Sequence, residues 1–168
     1  DLAPIIPVLK DLNRPLDFSL AFKGQGKNVE IPLLELSDER YLDVQGNLSL
    51  LNWDAKHDMF IQAELKNLSV TQPGIRYFMD NLTGSVPSIL DRMEFVRFKG
   101  SAGGYFHDLQ VGGLLQTAAG VVDANLLINS DSDFKRTYSG GVKSKNLNLG
   151  KLLGDSKFGH TQFNVDLK

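Results

Sequence analysis

The sequence predicts a mainly β protein: an antiparallel-rich sheet, apolar on one side, with short helices docked on the apolar face. Three observations predict it. Apolar and polar residues alternate in segment after segment, as in Leu16, Phe18, Leu20 and Phe22 against Asp17, Ser19, Ala21 and Lys23. A period of two sends the two sets to opposite faces of a strand. Helical spacing is confined to short pieces between such runs, and glycines punctuate the runs at Gly24 and Gly26 and repeatedly from Gly100 to Gly120.

The elements follow in order. Ile5, Ile6, Leu9 and Leu12 suit one face of a short helix over 5–13, which Pro15 stops. A strand follows through Phe18 and Phe22. Residues 28–36 form a strand or edge segment, and Pro32, which lacks a donor, argues against a central position. Alternation resumes through Leu42, Val44, Gly46, Leu48 and Leu50, and again through Met59, Ile61, Ala63 and Leu65. It then changes phase at Leu68 and Val70, and the extra residue marks a bulge or a strand end.

Residues 73–92 differ. Ile75, Phe78, Met79 and Leu82 have helical spacing, Gly84 closes that helix, and Pro87 opens a second carrying Ile89, Leu90 and Met93. Helices this short must dock on something apolar. Strands then return. Phase is clearest in Leu109–Val111–Gly113–Leu115 and Val122–Ala124–Leu126–Ile128. Gly100, Gly103, Gly104, Gly112, Gly113 and Gly120 are expected to break this region into hairpins. Residues 148–154 suit one helical turn, and Phe163, Val165 and Leu167 a closing strand. One internal echo stands out: Lys66-Asn67-Leu68 and Lys145-Asn146-Leu147 each sit in a strand that leads to a short helical piece.

Composition narrows the function. With 168 residues, 42% apolar and 23% charged, the chain suits one folded module over 1–168 and not a disordered tail. Eighteen Lys and Arg against 20 Asp and Glu, a formal net charge of -2, leave no basic excess for phosphate neutralisation, so no nucleic-acid partner is expected. There is no cysteine, which removes thiol chemistry, cysteine zinc sites and disulfides. Apolar runs fall far short of the roughly 20 residues that span a bilayer. The chain starts at Asp1 with no hydrophobic leader and stops at Lys168 inside an alternating run, so an internal fragment of a longer protein is expected.

Motifs for chemistry are thin. His57, His107 and His160 stand in polar, turn-like contexts with no metal-ligand spacing. The Asp131–Asp133 run lacks the glycine and closing Glu of an EF-hand loop. Asp38-Glu39 and the pair Asp54 and Asp58 around His57 suit solvated turns. There is no nucleophile elbow, and Gly103-Gly104 and Gly112-Gly113 have no Lys-Ser/Thr after them. Asn47, Asn67 and Asn81 open glycosylation-type triplets that enrichment of Asn-Leu at strand ends explains. Trp53, Tyr105 and Tyr138 are the aromatics a sugar would stack on. No catalytic, cofactor-binding or metal residue is predicted, and the chain is not expected to be an enzyme.

The order of phrases carries a resemblance. A leading LAPIIPVLKDL helix is followed by strands and by a paired-helix insertion, GIRYFMDNLTGSVPSILDRM. Then come Phe98-Lys99-Gly100 at a strand end before a loop, Leu115-Gln116-Thr117-Ala118-Ala119-Gly120, and Tyr138-Ser139-Gly140 leading to a Leu-rich turn at Leu149 to Leu153. Over nearly the whole chain this resembles a periplasmic segment of the AsmA/TamB-like proteins, in the form found in Bacteroidetes. The resemblance implies a curved, elongated, trough or taco-like sheet with an apolar inner surface. It implies a periplasmic location, with anchoring to the inner membrane through a segment absent from this chain. It further implies a part in outer-membrane biogenesis, by lipid transport along a hydrophobic groove or by protein translocation and assembly, with phospholipid or other acyl chains and the outer-membrane assembly machinery as partners.

The alternation fits that reading without requiring it. Trough-facing positions would be Phe18, Leu20, Phe22, Val44, Leu48, Leu50, Ile61, Leu65, Val111, Leu115, Val122, Leu126, Ile128, Phe163 and Val165. The same positions would equally pack a closed β core. The alternative function is a β-sandwich carbohydrate-binding module, with Trp53, Tyr105 or Tyr138 on a concave polar face.

Overall fold

Among the described residues nine strands run as one continuous meander. The structure, a computed structural model, describes residues 17–38, 40–55, 58–83, 86–105, 107–130 and 136–168, with side chains given outside 80–83. The strands are β1 (Asp17–Gln25), β2 (Asn28–Asp38), β3 (Leu42–Leu51), β4 (Phe60–Thr71), β5 (Phe95–Tyr105), β6 (Asp108–Thr117), β7 (Gly120–Ser130), β8 (Arg136–Asn148) and β9 (His160–Leu167). Each pairs antiparallel with its neighbours in sequence, in the order β1 to β9. The sheet is open, because β1 and β9 lie at opposite edges. At about 4.8 Å per strand spacing it is roughly 38 Å wide. The expected mainly β, antiparallel, elongated sheet with short helices is what forms. All the described strands belong to one sheet, so a two-sheet sandwich is not the architecture.

The helices gather at one end. α1 (Gln72–Thr83) and α2 (Ser88–Arg92) connect β4 to β5, and α3 (Leu149–Leu153) connects β8 to β9. Thr71 starts α1: its hydroxyl accepts from the Gly74 N–H at 3.4 Å and donates to the Arg40 carbonyl at 2.8 Å. That satisfies one of the amides a helix start leaves without a partner. Pro73 sits in the first turn, where its missing N–H costs nothing. Asn148 caps α3, its Oδ1 accepting from the Lys151 N–H at 2.8 Å, and Gly154 ends it in the left-handed region at φ 72°. The predicted opening at Pro87 is the N-cap of α2, and Met93 is its C-cap. The helix expected over 5–13, the stop at Pro15 and the closure at Gly84 lie outside the described residues, as do Glu39, His57, Asp131 and Asp133.

Two expectations are corrected. Pro32 does not mark an edge: β2 is paired on both sides. The ladder shifts register against β1 between Lys23 and Ala21 and against β3 between Ile31 and Leu34. The extra residue on β2 falls at Ile31-Pro32 against β1 and at Pro32-Leu33 against β3, so the bulge takes Pro32, the residue that cannot donate. The glycines of 100–113 do not break the chain either. Gly100, Gly103 and Gly104 lie within β5, and Gly112 and Gly113 within β6; only Gly120 follows a turn. Phe98-Lys99-Gly100 is therefore mid-strand and not a strand end.

The phase change in β4 is a bulge. Gly46 pairs with Leu65 while Gln45 pairs with Asn67, and Leu65 and Leu68 pair with Gly100 and Phe98. The extra residue lies at Lys66. β8 repeats the device: Ser144 pairs with Phe163 and Leu147 with Thr161, which places the extra residue at Lys145-Asn146. The two Lys-Asn-Leu phrases are thus two bulges in two strands that each lead directly to a helix.

Candidate functional site

Every predicted trough position lies on one face of the sheet. One row of cross-strand neighbours crosses all nine strands: Leu20, Leu34, Gly46, Leu65, Gly100, Gly113, Ala124, Val142 and Val165. A second pairs Leu48 with Ala63, Ala102, Val111, Leu126, Gly140 and Leu167. A third joins Phe18, Leu36, Val44, Leu68, Phe98, Leu115 and Val122. Leu50, Ile61, Leu109 and Ile128 continue the face toward the far end. The bulges are what keep it apolar. Without the extra residue at Lys66, Leu68 and Val70 would point to the other side.

This face is little covered. Along β7, Val122, Ala124, Leu126 and Ile128 are half-buried while Val121, Asp123, Asn125 and Leu127 are exposed. Side-by-side packing within the layer suffices for half burial; a second layer would do more. No large side chain among the described residues is fully buried, and the buried apolar residues are Ile75, Ala119 and Leu147, all near the helical end. At the β1 edge Phe18 and Phe22 are each 61% exposed.

The helical end is where the chain does close. The Ala118 N–H donates to the Met93 carbonyl at 3.1 Å and the Asn148 N–H to the Ala119 carbonyl at 2.7 Å. The β6–β7 turn is thereby held between the end of α2 and the start of α3. Arg92 Nη1 donates to the Leu152 carbonyl at 2.9 Å, joining the two helices directly. Between α1 and α2, Arg76 makes a bidentate ion pair with Asp91, at 2.5 Å from Nε to Oδ1 and 3.0 Å from Nη2 to Oδ2. That hydrogen bond, together with the guanidinium charge, lowers the Asp91 pKa below its ordinary value, against a smaller opposing effect of burial.

The opposite face is polar and carries two adjoining furrows, of about 660 and 830 Å³. Asn47 Nδ2 donates to Glu64 Oε2 at 3.0 Å, and Gln110 Nε2 donates to Asn125 Oδ1 at 3.2 Å. Sequence inspection missed this region. Its signal was available: Gly103 and Gly112 stand in phase with the polar residues, not the apolar ones.

The remaining candidates do not converge. His107 stacks on Tyr105 at 5.7 Å in the β5–β6 turn. His160 lies at the other end, where its Nδ1 faces Asn146 Oδ1 at 2.7 Å and its Nε2 faces Asn148 Nδ2 at 3.3 Å. Among the described residues no group of His, Asp and Glu is placed to hold a metal ion. Asp38 accepts from the Arg40 N–H at 2.9 Å in a turn, and Asp54 pairs with Lys27 at 3.0 Å. Trp53 is exposed in the β3–β4 connection. Tyr105 falls on the polar face and Tyr138, opposite Ile128, on the apolar one, so the three aromatics form no common platform. No described helix is long and apolar enough to cross a membrane.

The chain matches no family model, and neither the curated proteins nor the solved structures contain a match to it.

Proposed function

We propose that the chain is a non-catalytic module of the cell envelope whose apolar face holds the acyl chains of phospholipid or a related lipid. One observation carries this reading: an apolar face runs unbroken through nine strands, and no large side chain among the described residues is fully buried. An apolar sheet face needs a second layer or a ligand, and patches beyond a few hundred Å² are seldom left to water. Each methylene buried contributes roughly 0.8 kcal/mol, so ten contribute on the order of 8 kcal/mol before ordering costs. Such contacts are non-directional and need no polar signature, which fits a sequence without chemical motifs. The resemblance to AsmA/TamB-like proteins supplies the setting: a periplasmic segment of a longer polypeptide, anchored in the inner membrane outside this chain. There it serves outer-membrane biogenesis by conducting lipid along the face or by assisting protein assembly.

Leu115 and Gln116 test the reading because they are adjacent in β6 and point to opposite faces. In native mass spectra the protein incubated with palmitate is expected to carry acyl adducts. Leu115→Asp places an unpaired carboxylate on the apolar face, which costs the fold or the adduct. Gln116→Asp is expected to keep both. Equal adduct levels in two folded variants, or none in the unmodified protein, would overturn the proposal.

A further inference from the structure

We propose that the polar face is a second binding surface, a furrow across β4 to β7 that takes an uncharged oligosaccharide. The glycines of the two faces differ in what they do. At Gly113 a Cβ would strike the Phe98 ring and the Lys99 carbonyl, and at Gly46 the Glu64 carbonyl, so the fold itself requires glycine there. Gly103 has no heavy atom within 4 Å of such a Cβ, and at Gly112 the nearest is 3.7 Å away. Neither has the positive φ that would demand glycine. Glycine weakens a strand interior, and where packing does not call for it, it marks a place another molecule approaches closely. Both glycines floor the furrow of about 830 Å³.

The rim defines the ligand. Gln110 and Asn125 offer amide donors and acceptors side by side, Gln62 adds a third amide across Gly103, and Glu64 offers a carboxylate. The pairs Asn47–Glu64 and Gln110–Asn125 fix Glu64, Gln110 and Asn125 while leaving each with unused hydrogen-bonding capacity. A sugar hydroxyl both donates and accepts, so alternating amides and carboxylates suit it. At one end Phe60 lines the furrow with Tyr105 edge-on at 5.4 Å, an apolar surface for a pyranose C–H face. Asp123 continues the furrow toward Lys143 and Asp166, so carboxylates outnumber ammonium groups and an anionic ligand is disfavoured.

The test is amide chemical-shift titration with cellohexaose and maltohexaose, and with an oligoglucuronate for comparison. Saturable shifts at Gln62, Gln110 and Asn125 with a neutral hexaose are expected. Gly112→Val fills the floor with a strand-favouring side chain; it is expected to retain the thermal midpoint and weaken binding by about tenfold or more. Gly103→Thr serves the same purpose should Gly112→Val not fold. The proposal is overturned by shifts confined to other regions, by no saturable shift with either hexaose, by variants that bind as the parent does, or by equal affinity for the glucuronate.

Discussion

Leu65 and Leu68 are neighbours on the same apolar face of β4 although three positions separate them, because the strand absorbs one extra residue between them. In a strand without a bulge they would point to opposite sides. Ser144 and Leu147 stand in the same relation in β8, and both are buried. The two bulges set the apolar face of the strands that lead to the helices.

Deleting Lys66 therefore has a larger effect than replacing it. The deletion turns either Leu68 and Val70 or the Phe60–Leu65 half of β4 over; these side chains are half-buried, so exposing two of them removes about half of the 1.5–3 kcal/mol each would contribute fully buried, roughly 1.5–3 kcal/mol together. Lys66→Ala leaves the bulge and is expected to change stability by less than about 0.5 kcal/mol. Urea denaturation of the two variants measures the difference, and equal midpoints would show that the bulge does not set the register.

Adjacent glycines in β6 respond oppositely to alanine. Gly113→Ala meets the Phe98 ring and the Lys99 carbonyl, and is expected to cost about 1–3 kcal/mol. Gly112→Ala makes only ordinary van der Waals contact, the nearest atom at 3.7 Å, and is expected to add about 0.4–1 kcal/mol by restricting the unfolded chain. Thermal midpoints of the two single variants check the pair.

The clasp between α1 and α2 is acid-sensitive. The Asp91 pKa is lowered in the folded protein by the Arg76 hydrogen bond and charge. Its contribution is thus complete above the ordinary carboxylate pKa and is lost as pH falls through the depressed folded value. Carboxyl carbon shifts of Asp91 are expected to titrate below the ordinary range in the parent and within it in Arg76→Gln. Identical titrations would remove the clasp.

Much of this was legible in the residues. Period two in β3 and β7 gave the correct face for every position, because a half-buried antiparallel strand has to alternate. Leu68 announced its bulge by breaking phase. Pro32 misled because a missing donor reads as an edge, whereas a bulge in an internal strand leaves the same amide position unpaired. The glycines of β5 and β6 misled for a related reason. Glycine favours turns by its freedom, but at Gly100 and Gly113 it is the Phe98 ring together with a neighbouring-strand carbonyl, that of Gly112 or Lys99, that excludes a side chain. The polar furrow was invisible because it depends on which strands stand side by side, and Gln62, Gln110 and Asn125 come to line one furrow only through the pairing of β4 to β7.

The most direct test of an apolar face open to hydrocarbon is photo-crosslinking with a diazirine-bearing fatty acid, mapped by peptide mass spectrometry. Adducts are expected at Phe18, Leu48, Leu115 and Leu126 and not at their polar-face neighbours Ser19, Ser49, Gln116 and Leu127. Adducts confined to α1 and α2, or spread evenly over both faces, would contradict it.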